Sequence, residues 1–148
     1  MKFLNFLLMF IFYASVSFAH CQVPCGIYDD DRVFSELFQH VQTIRKAVVS
    51  VNDLQGDSEQ NDNQRIRWVV NKEEHAQLIQ DTMNHYFLVQ RIKPPVTKAD
   101  MVRRRYLFLL EKAHAVLVLA MKAKQKSDLG VVDDLKVAVE EFQEVYQR

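Results

Sequence analysis

Glycine and proline are scarce in this chain, with three of each among 148 residues. A sequence so poor in chain breakers suits an all-helical domain. No sign of charge predominates, since 19 basic residues face 19 acidic ones. That balance gives no sign of the polybasic surface a nucleic-acid or anionic-membrane partner would need. There is no His-Glu-x-x-His, no nucleophile elbow and no Gly-rich phosphate loop. Zinc-peptidase, serine-hydrolase and nucleotide-binding readings therefore have no motif to stand on. One Glu-x-x-His occurs, Glu111 to His114, whereas a di-iron bundle uses two such pairs and two further glutamates. His114 is accordingly read as a hydrogen-bonded core or interface histidine. His40 and His85 are read as structural or solvated, and Trp68 as core.

Cysteine is scarcer still. Both copies fall within His20-Cys21-Gln22-Val23-Pro24-Cys25-Gly26-Ile27-Tyr28. Met1–Ala19 before it reads as a secretory leader. Lys2 supplies a positive start, Phe3–Tyr13 is apolar except for Asn5, and Ser17-Phe18-Ala19 offers small residues for a signal peptidase. A spanning helix needs roughly 20 apolar residues, and this run ends sooner. The expectation is cleavage after Ala19 by a leader-processing protease, no stable membrane anchor afterwards, and an extracytoplasmic location (secreted, periplasmic or organelle-lumenal).

Cleavage would give His20 a free α-amine beside its imidazole, a pair able to chelate a metal. Cys21 and Cys25 add two thiolates. Pro24 stiffens the turn between them, and Gly26 lets the backbone pass close by. Two thiolates with nitrogen donors suit nickel or copper in a square plane more than zinc in a tetrahedron. The cysteines alone are also compatible with a Cys21–Cys25 disulfide in a secreted helical interaction protein, or with metal carriage without turnover.

This stretch resembles the metal hook of the nickel superoxide dismutase family, whose pattern is His-Cys-x-x-Pro-Cys-Gly-x-Tyr at the mature N-terminus. All six specified residues match at the same spacing. The resemblance implies one nickel ion per subunit, superoxide as substrate, a homohexamer, and disproportionation through a Ni(II)/Ni(III) cycle. It implies His20, Cys21 and Cys25 as ligands, with the His20 imidazole axial and Tyr28 near the open axial face. It also implies a glutamate on the first helix holding the axial imidazole, a place that Glu36 takes by ungapped counting. The family's supporting arginine falls on His75 here, with Arg67 as an alternative from earlier on the same helix.

The remainder, residues 29–148, reads as one antiparallel four-helix bundle. The first helix is expected over Asp31–Val51, with Phe34, Leu37, Val41, Ile44, Val48 and Val51 on its seam. A polar loop is expected over Asn52–Gln64. The second helix is expected over Arg65–Arg91, with Ile66, Val69, Ala76, Ile79, Met83 and Tyr86 inward, stopped by Lys93-Pro94-Pro95. Thr97–Asp100 reads as the cap of a third helix reaching Lys126. That helix is apolar on several sides, notably at Leu107–Leu110 and Ala115–Met121, which implies a subunit interface. A last helix is expected over Val131–Tyr146, with Val132, Leu135, Val139, Phe142 and Tyr146 on its seam.

Overall fold

Helix α1 spans Asp30–Asp53 and begins on Asp30 and Asp31, whose charges face the positive end of its dipole. Its apolar residues recur at threes and fours, so Phe34, Leu37, Val41, Ile44 and Val48 form one buried stripe. The computed structural model describes residues 30–54, 59–97 and 99–148. Residues 1–29, and with them the leader and the cysteine stretch, lie outside the described residues.

Helix α2 spans Glu59–Thr82 and runs directly into a π-helical segment, Met83–Arg91. The second helix therefore starts about a turn and a half before the expected Arg65, and much of the predicted polar loop is helical. Ile66 is 63% exposed and not on the seam, a correction to its inward placement. Ala76, Ile79, Met83 and Tyr86 are fully buried as expected. The π segment changes the period of the inward face. Tyr86 and Phe87 are sequence neighbours, yet both are fully buried. Neighbouring pairs are also buried in the α-helices, at Ala47 and Val48 and at Val131 and Val132, because a core-facing stripe is broad enough for both. The π segment has a wider turn, closed every five residues. It ends with the Ile92 N–H donating to the Phe87 carbonyl at 2.8 Å, five residues back, just before Pro94 and Pro95.

Helix α3 spans Asp100–Gln125 and α4 spans Leu129–Gln147. Thr97 does not cap α3 as expected. Its hydroxyl accepts from the Ala99 N–H at 3.0 Å, one residue ahead of the helix. Asp128 does cap α4, accepting from the Gly130 N–H at 2.8 Å. A Cβ at Gly130 would stand 3.2 Å from that same carboxylate oxygen, so glycine leaves room for the cap.

Each helix packs on its sequence neighbours, and α1 packs on α4 to close the ring. The start of α1 meets the end of the π segment and the end of α4, through Asp30 with Arg91 and Tyr146. Its other end meets the end of α3, where Asn52 donates to the Ser127 carbonyl. These cross-links make the bundle antiparallel throughout. Lys72 lies among the inward residues of α2 and is 2% exposed. Its ammonium donates to the carbonyls of Ala123, Lys124 and Lys126 at 2.7, 2.7 and 3.1 Å. The cation thereby satisfies the open carbonyls at the negative end of α3. Burial lowers the Lys72 pKa, partly countered by Glu73.

Along the outside of α3, Met101, Leu107, Phe108 and Met121 are exposed. Leu107, Phe108, Arg104, Arg105 and Glu111 line an open cavity of about 450 Å³ there. Among the described residues, no helix is long and apolar enough to cross a membrane.

Candidate metal centre

The start of α1 is fixed from three sides. Asp30 lies two residues after Tyr28, so this is where the cysteine stretch joins the bundle. One carboxylate oxygen of Asp30 accepts from the Tyr86 hydroxyl in a short bond and from Arg91 Nη2 at 3.1 Å. The other accepts from the Tyr146 hydroxyl at 3.0 Å. Arg91 also donates to the Tyr86 oxygen at 2.9 Å, and its guanidinium sits 5.0 Å from the Tyr86 ring centre. One residue on, Gln147 donates to Asp31 at 2.7 Å. Beneath this cluster lie Phe34, Phe87 and Phe142, with Phe87 and Phe142 edge to face at 4.8 Å. Rings in that arrangement make a stiff platform.

The π segment builds the cluster. Tyr86 and Arg91 are five residues apart, one turn of a π-helix, so both reach Asp30 together. Burial raises the Tyr86 pKa, donation to Asp30 raises it further, and Arg91 partly opposes this. Tyr146 is raised for the same first two reasons. Both phenols are therefore held protonated, as donors to the carboxylate. Sequence reading gave Tyr86 and Tyr146 as seam residues and missed their polar ends. Asp30 stands one residue before the expected helix start at Asp31, and no spacing in the sequence marks its partners.

Of the residues expected at the metal site, His20, Cys21, Cys25 and Tyr28 lie outside the described residues. Glu36 and His75 are described. Glu36 is exposed on α1, and its carboxylate accepts from Arg32 Nε at 3.0 Å. One turn further along α1, His40 Nδ1 lies 2.8 Å from His75 Nδ1, joining α1 to α2. The hydrogen bond of His75 thus goes to His40 and not to Glu36, a difference from the expected pairing. Burial lowers the His40 pKa, His75 lowers it further, and Glu36 opposes both. The three side chains therefore share one electrostatic neighbourhood. Arg67 is exposed on α2.

The other candidates sort simply. Glu111 and His114 are exposed on α3, so His114 is not a core histidine and the pair does not face a bundle interior. His85 is exposed, and Trp68 is half-buried, with Lys46 Nζ 5.8 Å from its ring centre. Among the described residues, no three His, Cys, Asp or Glu side chains are grouped to hold a metal ion.

The family model described as "Nickel-containing superoxide dismutase" matches residues 15–148, which include all four helices. The chain belongs to the nickel-containing superoxide dismutase family. It is a nickel-dependent enzyme that disproportionates superoxide to dioxygen and hydrogen peroxide. No curated protein and no solved structure matches the chain. The donor chemistry fits the metal. His20, Cys21 and Cys25 supply an imidazole and two thiols within six residues, the soft and borderline donors that suit nickel. For this dismutase the carbonyl- and carboxylate-rich sets of magnesium or calcium have no counterpart in that stretch.

Proposed function

We propose that the nickel of this dismutase is held by the stretch His20–Cys25 after removal of residues 1–19. Cys21 and Cys25 would give the two thiolates, and Cys21 its amide nitrogen. His20 would give its terminal amine and its imidazole. The observation that carries this reading is the complete His-Cys-x-x-Pro-Cys-Gly-x-Tyr pattern feeding into an anchored helix start. When bound, nickel supplies a one-electron Ni(II)/Ni(III) couple, which anionic thiolates bring into reach.

The protein's own residues do the rest. Two superoxide anions and two protons give one dioxygen and one hydrogen peroxide. Tyr28 orients the small anion and orders water for proton delivery. Glu36 accepts the ring proton of His20, which fixes the orientation and basicity of that imidazole. His75 supports Glu36 through His40, whose ring stands between them in the charge network. Asp30, held by Tyr86, Arg91 and Tyr146, keeps the base of the hook in register with Glu36.

The enzyme is proposed to work outside the cytoplasm, as a homohexamer that covers the exposed apolar residues of α3. Leu107 and Phe108 are 51% and 45% exposed there, which supports an interface on that face. The test of the site is substitution of either thiolate. Cys21→Ser and Cys25→Ser should each lose nickel and turnover with helicity unchanged. Full dismutase activity in either variant would overturn the assignment.

A further inference from the structure

The α1–α2 interface carries a pair of metal-type donors built from residues outside the hook. His40 and His75 are both half-buried, and their Nδ1 atoms face one another at 2.8 Å. The ring centres stand 5.0 Å apart with planes tilted by 53°, so the rings converge on one point through a single edge each. Two such nitrogens can share a proton, and they can equally share an ion. Ligand nitrogens sit about 2.0–2.1 Å from zinc, so two of them on one ion stand about 2.9–3.4 Å apart, between right-angled and tetrahedral geometry. The observed spacing is short of that range by a small opening that rotamer adjustment supplies.

Two further features lie on the same side of the molecule. Glu36 stands one turn from His40 on α1 and acts on its charge. Asn71 stands one turn before His75 on α2 and buries its Oδ1 with no hydrogen-bond partner. A buried acceptor without a partner, one turn from His75, adds a polar group to that stretch of α2.

We propose that His40 and His75 form a second divalent-metal site, a two-imidazole clasp between α1 and α2 that takes an ion of the zinc, copper or nickel class. Imidazole suits these ions, and water completes the coordination. Binding needs no net loss of protons from the neutral pair. The ring that donates its Nδ1–H moves that proton to Nε2, and both Nδ1 lone pairs then face the ion. The clasp would link the middle of α1 to the middle of α2.

The full chain carrying His20→Ala, Cys21→Ser and Cys25→Ser tests this, because the hook side chains no longer compete. Zinc titrated into it by calorimetry at neutral pH should bind at one ion per chain. Adding His40→Ala or His75→Ala should weaken zinc binding by at least about tenfold, since losing even an outer partner of a metal ligand costs about 10- to 100-fold. Copper(II) on the parent chain should show nitrogen couplings from two imidazoles in its electron paramagnetic resonance spectrum, a readout that needs no histidine variant to fold. Unchanged zinc affinity in both folded histidine variants would overturn the proposal. So would a copper spectrum without those nitrogen couplings. The hook assignment is read separately, from the nickel content of the wild type against Cys21→Ser, so either can fail alone.

Discussion

Replacing Asp30 with alanine removes the acceptor that gathers three helix ends. Tyr86, Arg91 and Tyr146 all donate to that carboxylate. A buried donor left without its partner costs about 1–3 kcal/mol. The three costs do not add in full. Asp30 and Arg91 are 33% and 28% exposed at their side chains, so water replaces part of what is lost. Arg91 also keeps its bond to the Tyr86 oxygen at 2.9 Å. The net loss should be about 2–4 kcal/mol. Domains have about 5–15 kcal/mol to lose, so the urea midpoint should fall visibly. Asp30→Asn keeps an acceptor oxygen and should fall less. The alkaline limb adds a second readout. Tyr86 and Tyr146 have raised pKa values in the folded state. Their stabilising contribution is therefore complete below the ordinary phenol value of about 10 and is lost as pH rises through the raised values. Asp30→Ala should flatten that loss. Urea unfolding followed by circular dichroism, with nickel content and activity measured on the same samples, decides the matter. A variant with the wild-type midpoint and wild-type activity would refute the tether.

Glu36→Ala should retain nickel but loosen its bond to the proposed His20 imidazole, seen as a loss of that nitrogen's signature in the Ni(III) resonance spectrum and a fall in turnover, with Glu36→Gln affected less. Lys72→Met keeps the apolar stem but leaves the end of α3 without its cation, and should cost about 1–3 kcal/mol in urea unfolding. His40 has a lowered pKa, so its contribution to stability is present above the ordinary histidine value of about 6.5 and is lost as pH falls. A His40→Ala chain should show a shallower acid decline in thermal stability. Sedimentation should give a hexamer, and Phe108→Glu on the exposed face of α3 should shift it toward smaller species.

Much of the bundle was legible because apolar spacing in α1 and α4 is regular. Phe34, Leu37, Val41, Ile44 and Val48 are buried, as are Val132, Leu135, Val139 and Phe142. The start of α2 was not legible, because Glu59–Gln64 carries no apolar stripe and reads as a loop on composition alone. Its helicity continues outward from a packed segment. Lys72 was missed because a charge at a seam position looks like an interruption, and its partners are carbonyls that no side-chain pattern reveals. The Asp30 cluster was missed for a related reason. Tyr86 and Arg91 share a face only on a π turn, and α spacing sets them apart. His40 and His75 are 35 residues apart in sequence, and only the packing of α1 on α2 brings their rings together. The His20–Tyr28 pattern, which lies outside the described residues, is read from residue types at fixed spacing and owes nothing to helical periodicity.

The proposed nickel site depends on His20 being the first residue of the mature chain. Mass and N-terminal sequence of the native enzyme, measured with its nickel content, test this most directly. The expected result is a chain beginning at His20 with one nickel ion per subunit. An active, nickel-loaded enzyme that begins at any other residue would contradict this, because His20 would then be either absent or acylated at its amine and unable to serve as a ligand.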